Sequence, residues 1–275
     1  MITGRRPRAL RPWLILPLQG LALKVMLIGL GLGSLAWNLI ALLLWPLLPA
    51  DLGRRVGRAA IAAGYRFFWT VARAVGMVRL HSQALAPLRD ERGLVIVANH
   101  PSMLDAMMLV ARLPMAACVM KASLLANPLL GPGARLARYI RNDDSGSLVR
   151  LAVADLRAGG QLLLFPEGTR TTRWPVNPFR PGATVIARFA PAPIQTVFID
   201  TDSPYLGKGW PLWRLPPLPI EFTVRLGRRF PPQEDHRALL AELEAYFAAG
   251  VRPPAGLGAM QAVATHPDPL TPPAR

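Results

Sequence analysis

Apolar residues are distributed along this chain in three distinct ways. Between positions 93 and 230 they form short runs spaced by amphipathic stretches. GLVIVAN (93–99), QLLLF (161–165) and PIQTVFI (193–199) read as short buried strands, and EFTVRL (221–226) alternates as a half-buried strand does. Helical spacing predicts helices over 102–112, 147–158, 182–190 and 234–249. Strands alternating with helices predict an α/β domain built on a central, mostly parallel sheet flanked by helices.

The second pattern is continuous. From Val25 to Ala50 the chain carries no charge, and the apolar trend begins at Trp13. About 20 such residues suffice to enter or cross a bilayer, so a helical N-terminal membrane anchor is expected. Arg5, Arg6, Arg8 and Arg11 precede the stretch and Arg54, Arg55 and Arg58 follow it, so flanking charge favours neither orientation. Pro17, Gly20 and Pro46 permit a bent or re-entrant hairpin. A cleaved signal peptide is disfavoured, because its apolar region spans only about 7–15 residues and ends at a small-residue site.

The third pattern is amphipathic. Over residues 52–76, Arg55, Arg66 and Arg73 superimpose on a helical wheel with Phe67, Val71 and Val75 opposite. Such a helix either packs on a domain or lies in the lipid interface. The chain therefore divides into a basic N-terminus and apolar anchor (1–50), a connecting helix (51–80), an α/β domain (81–250) and a Pro-rich tail expected to be disordered (251–275).

Charge sharpens the membrane reading. Apolar residues make up 52% of the chain and charged residues 17%, against about 50% and about 25% in ordinary soluble domains. Of a formal charge of +16, the first 89 residues hold eleven arginines and Lys24 against the single acid Asp51. Cations beside hydrocarbon fit an anionic membrane surface. No zinc-finger, RRM or helix-turn-helix signature accompanies them, so nucleic acid is not expected as a partner. Cys118 is the only cysteine, which excludes an internal disulfide and points to a core residue in a reducing compartment.

Candidate chemistry sits at strand ends. His100 follows GLVIVAN, and Asp105 falls one turn into the next predicted helix. A carboxylate so placed can fix the imidazole tautomer and stabilise the imidazolium while the other ring nitrogen takes a proton. Ser102 and Asp105 also form S-x-x-D, a capping-box-like helix start, so spacing alone leaves both readings open. FPEGTR (165–170) follows the second strand, where backbone N–H groups and the planar fork of Arg170 can face an anion. Glu167, between Pro166 and Gly168, suits a turn-organising role.

Together, NHxxxxD and FPEGTR some sixty residues later resemble the glycerophospholipid acyltransferase superfamily, and among its members the lysophosphatidic acid acyltransferases. The resemblance runs from Arg79 to Leu226, with an anchor-like N-terminus that many members share. It implies transfer of an acyl chain from acyl-ACP or acyl-CoA to the free hydroxyl of lysophosphatidic acid, forming phosphatidic acid, without an acyl-enzyme, a cofactor or a metal. His100 would be the general base and Asp105 its orienting carboxylate. Lys121, Arg141, Glu167, Gly168, Thr169 and Arg170 would form the phosphate-binding set. Pro193 and Ile194, in APAPIQTVFI, would shape an acyl pocket or begin a buried strand. LARYIRND departs from the family pattern, with Leu136 at a usual glycine and Asn142 at a usual arginine, so that Arg141 stands one place early. The expected location is the cytoplasmic face of a bacterial inner membrane. Alternatives are another acceptor (a lyso-ornithine lipid, another lysophospholipid or a specialised lipid such as an aryl polyene conjugate) and a non-catalytic membrane-surface protein.

Overall fold

The computed structural model describes residues 12–127, 131–142, 144–211 and 214–253. The tail expected from 251 thus lies almost wholly outside the described residues, as do Arg5, Arg6, Arg8 and Arg11. Helices α1 (Pro12–Leu44) and α2 (Ala50–Ala74) precede the sheet. Next come β1 (Val78–His81), a 3₁₀ turn (Gln83–Leu88), β2 (Leu94–Ala98), α3 (Asp105–Arg112), β3 (Ala116–Met120), α4 (Ala122–Ala126), α5 (Gly131–Leu136) and β4 (Ile140–Arg141). The chain continues through α6 (Ser145–Arg157), β5 (Gln161–Leu164), α7 (Gly182–Phe189), β6 (Ile194–Thr201), β7 (Ile220–Phe230) and α8 (His236–Gly250).

The seven strands lie in the order β1-β7-β6-β2-β5-β3-β4. Every pairing is parallel except β6 with β7, which is antiparallel. The expected mostly parallel α/β sheet is what forms. β2 and β5 sit centrally and are buried along their whole length, which is why they read as unbroken apolar runs rather than alternations. β2 divides its side chains between two cores. Leu94, Ile96 and Ala98 join α2 and α3 on one face, whereas Val95 and Val97 join α6, α7 and α8 on the other. Because β2, β3, β4 and β5 are parallel, their carboxyl ends share one edge, and the candidate residues collect there.

α1 runs unbroken through Pro17 and Gly20, and the bend comes only after Leu44, at Pro46. The hairpin is therefore made by α1 and α2 rather than within the apolar stretch. α1 packs against α2 and α5, and Leu23, far from the turn, shares a core with Ala62 and Trp69 of α2. Residues Leu18–Leu44 form a helix long and apolar enough to cross a membrane. Its outer face, including Leu21, Ile28, Leu32 and Leu43, is exposed.

α2 differs from expectation in which face it buries. Arg55, Arg66 and Arg73 are exposed as the helical wheel predicts, yet Phe67 and Val75 are exposed too. The packed face is Gly53, Gly57, Arg58, Ala62, Trp69 and Ala72. Close approach explains this: a Cβ at Gly57 would lie 2.5 Å from the Ala137 backbone nitrogen, so only glycine lets α2 seat against the end of α5. Arg58, fully buried, donates to the carbonyls of Ala137 and Met115 and to Asp155 of α6 at 2.7 Å. A pattern that assigns arginine to the wet face cannot find that side.

Candidate active site

β2 ends at Ala98, and Asn99 locks the exit in place. Its side chain donates to the Ile199 carbonyl at 2.9 Å and accepts from the Ile199 N–H at 2.8 Å, extending the pairing with β6 by side-chain means. His100 follows at the carboxyl edge of the sheet. Residues 101–104 form a turn, so α3 starts at Asp105 rather than at 102.

His100 Nδ1 lies 2.9 Å from Asp105 Oδ2, and the same oxygen accepts from the Ser102 N–H at 2.7 Å. The capping-box-like contact and the histidine–carboxylate contact thus share one oxygen, although the N-cap of α3 is Leu104 and no side chain bonds to it as a cap. Asp105 is fully buried and His100 keeps 18% of its side chain exposed. Burial raises the Asp105 carboxyl above its ordinary range, opposed by the hydrogen bonds from His100 and Ser102. Its Oδ1 is buried without a hydrogen-bond partner among the described residues. An ionised Asp105 requires the proton on Nδ1, which leaves Nε2 as a lone-pair acceptor. The imidazole stacks on Phe165, centroids 4.0 Å apart and planes 19° apart, a face that favours a cationic ring.

The FPEGTR turn is joined to His100 through Glu167. Oε1 accepts from the His100 backbone N–H at 3.0 Å and from Thr171 Oγ1 at 2.7 Å, while Oε2 accepts from the Asn177 N–H at 2.9 Å. The Thr171 N–H in turn donates to the His100 carbonyl at 2.7 Å. Glu167 is almost fully buried, and both its oxygens are engaged by protein donors. The structure therefore places it as an internal brace rather than facing an anion, which a carboxylate would repel. Gly168 sits at φ +66°, where a side chain is strained, under the Arg180 guanidinium. Thr169 is half-buried beside it.

Arg170 Nη1 donates to the carbonyls of Leu206 at 2.8 Å and Gly207 at 3.0 Å. The loop it holds also touches the His100 turn, since Ser102 Oγ donates to the Tyr205 carbonyl and the Met103 N–H to the Leu206 carbonyl. Loop 203–207 is thus clamped between the two motifs. Asn177 Oδ1 gathers the N–H groups of Thr172 and Arg173 and the Thr172 hydroxyl. Sequence reasoning missed Asn177, Phe165, Arg180 and the 203–207 loop. The only local signal was Asn177 flanked by prolines in WPVNPF, a turn composition.

Lys121 precedes α4 at the end of β3, and Arg141 ends β4. Both are exposed and on the same sheet edge as His100, but β5 intervenes. With strands about 4.8 Å apart, the strand bearing Lys121 lies about 10 Å from β2 and that bearing Arg141 about 14 Å. No hydrogen bond of the His100 cluster involves either residue. Ile194 is fully buried at the start of β6, where its side chain joins the core under α7 and α8. Among the described residues no cluster of His, Cys, Asp or Glu could hold a metal ion.

Known proteins share this fold and are similar in sequence. Residues 79–200 match the family model described as Acyltransferase. The 1-acyl-sn-glycerol-3-phosphate acyltransferase of Pseudomonas aeruginosa is 25% identical over 247 residues, covering 87% of this chain and 93% of that protein. The enzyme of the same name from Limnanthes alba is 26% identical over 196 residues, covering 68% and 66%. The crystal structure of the 1-acyl-sn-glycerophosphate acyltransferase from Thermotoga maritima shares the fold, with a TM-score of 0.61 and 19% identity over 85% of this chain and 94% of that one. Residues 79–200 match an acyltransferase domain, and the chain is an acyltransferase similar to the 1-acyl-sn-glycerol-3-phosphate acyltransferases.

Proposed function

We propose that this enzyme transfers an acyl chain from a thioester, acyl-ACP or acyl-CoA, to the free hydroxyl of lysophosphatidic acid, forming phosphatidic acid. The observation that carries the mechanism is the His100–Asp105 pair, with Nδ1 committed to the carboxylate and Nε2 open. Nε2 takes the acceptor's hydroxyl proton as that oxygen attacks the thioester carbonyl. The tetrahedral intermediate collapses with loss of the thiolate, and the imidazolium returns the proton to sulfur. A placed acid–base group supplies about 10²–10⁴-fold, so orientation of the two substrates contributes the rest. Support for the acceptor comes from the activity for which the relatives are named and from the cations along the sheet edge, Lys121, Arg141 and Arg170.

Membrane attachment follows from α1. Its inner face packs on α2 and α5 and its outer face is exposed hydrocarbon, an arrangement suited to lying in one leaflet rather than crossing it alone. In that arrangement both flanks and the domain stay on one side of the membrane, and in this reading that side is the cytoplasmic face of the inner membrane. Phe67 and Val75 of α2 extend the exposed apolar surface.

Arg170 serves two purposes in this reading, holding loop 203–207 and offering its remaining N–H groups to the acceptor phosphate. Arg170→Lys is expected to raise the KM for lysophosphatidic acid about tenfold to a hundredfold, because an ammonium replaces a planar fork. The check is steady-state kinetics of the full chain in detergent. The acceptor panel should include lysophosphatidic acid, lysophosphatidylethanolamine, a lyso-ornithine lipid and monoacylglycerol, each with both donors and with products read by mass spectrometry. Preferential formation of phosphatidic acid supports the proposal. Equal acylation of monoacylglycerol would move the assignment to a phosphate-free acceptor.

A further inference from the structure

A cleft of about 930 Å³ lies where the α1–α2 turn meets α4, α5, β4 and α6. Neither His100, Asp105 nor any residue of the FPEGTR turn lines it. Its walls combine cations with hydrocarbon: Arg54, Arg135, Arg138 and Arg141 beside Trp45 and Leu151. Two carboxylates also face it, but both are matched. Asp155 accepts from Arg54 and from the buried Arg58, and Asp51 pairs with Arg54 at 3.2 Å. The guanidinium groups of Arg135 and Arg138 have no hydrogen bond or ion pair to any of the described residues.

Arg138 is held in an unusual way. Its backbone sits at φ +55°, a conformation that side-chain-bearing residues seldom adopt. Its guanidinium lies 5.4 Å above the Trp45 ring. The strain places a charge at the mouth of the cleft, against the aromatic residue of the turn. Of the lining, Trp45 and Leu151 are exposed large apolar side chains, and Leu47, Leu52 and Leu124, near lining residues in sequence, are exposed as well. A tryptophan with an arginine beside exposed hydrocarbon is the combination that sits at the level of lipid headgroups.

We infer that this cleft seats the phosphate of an anionic glycerophospholipid drawn from the bilayer, with Arg135 and Arg138 on the phosphate and Trp45 and Leu151 against its glycerol and first acyl carbons. A free phosphate would satisfy the arginines and leave the apolar wall wet. A lipid satisfies both. The bound lipid fixes the α1–α2 hairpin at headgroup depth, next to the sheet edge that carries the reaction. The inference rests on the membrane placement proposed above, but not on the identity of the acceptor.

The test uses the full chain and vesicles of phosphatidylcholine with or without phosphatidylglycerol, scored by flotation. The variant Arg135→Gln/Arg138→Gln is compared with Arg55→Gln/Arg73→Gln, which removes equal charge from the exposed face of α2, beside the same membrane anchor. Cations close to the membrane act through the general field by about 1 kcal/mol each, an effect that fades within a Debye length, so the control pair is placed near the same surface. A built site predicts that the cleft pair raises the anionic lipid needed for half-binding by about tenfold more than the control pair does. Binding to pure phosphatidylcholine should be unchanged. A second measurement guards against misfolding: native mass spectrometry of the detergent-purified chain should show retained phosphatidylglycerol, lost in Arg138→Gln and in Trp45→Ala. Equal effects of the two arginine pairs would overturn the proposal. So would protection of the cleft by inorganic phosphate with no lipid retained, which would make it a simple anion site.

Discussion

His100→Ala is expected to lower turnover by about 10²–10⁴-fold while the protein stays folded and membrane-bound. The histidine keeps 18% of its side chain exposed and its backbone, not its ring, makes the bond to Glu167. Removing the ring therefore leaves the Glu167 brace and the Asn99 lock in place. Asp105→Asn should cost nearly as much for a different reason. The amide can still accept from Ser102, but it no longer fixes the proton on Nδ1 or stabilises the imidazolium. Because burial raises the Asp105 carboxyl, it protonates at a higher pH than an exposed aspartate. Activity is accordingly expected to fall on the acid side as Asp105 protonates, in a range above that of an exposed aspartate. Initial rates across pH for the wild type and both variants, with circular dichroism to verify folding, check the pair. An Asp105→Asn enzyme with near-normal turnover would leave Asp105 with its Ser102 contact alone.

Arg58→Ala should be the most destabilising single change in the hairpin, by about 3–5 kcal/mol. Arg58 has no solvent exposure and donates to two carbonyls and one carboxylate on three separate segments. Truncation strips Asp155, itself 10% exposed, of its closest partner, and Asp155 Oδ2 already lacks one. Arg54 at 3.3 Å is too weakly placed to compensate. The double variant Arg58→Met/Asp155→Leu should recover much of the loss, since it removes both buried charges at once. Thermal or chemical denaturation in one detergent reads both. A single variant as stable as the double would show that the pair contributes little to holding α2 on the domain.

How far the sequence reveals this molecule depends on whether each signal is local. β2 and β5 were legible because strands buried on both faces need runs of apolar residues, and β6 was legible from VFI although Gln195 and Thr196 are buried within it. β1 (VRLH) and β4 (IR) were not, being too short to show a period, and β3 (AACVM) carries little strand signal in its two alanines. α5 reads GPGARL, a turn by composition, yet it is helical and packs against α1 and α2. The His100–Asp105 pair was legible because both residues lie within one turn of chain. The partners of Arg170 and Arg58 were not, since Leu206 and Asp155 lie 36 and 97 positions away. Glu167 shows the same division: a turn-organising role could be read from Pro166 and Gly168, but its bond to His100 needed the fold.

The central claim is that His100 acts as a base and that the acyl group passes directly to the lipid hydroxyl. The most direct test is rapid-quench release of thiol from acyl-CoA by the full chain in detergent, with and without lysophosphatidic acid, combined with intact-protein mass measurement. Direct transfer predicts thiol release only when acceptor is present, phosphatidic acid formed in equal amount, and no change in protein mass. A burst of thiol stoichiometric with enzyme in the absence of acceptor, together with an acyl adduct on the protein, would contradict the account and make the enzyme a nucleophilic catalyst.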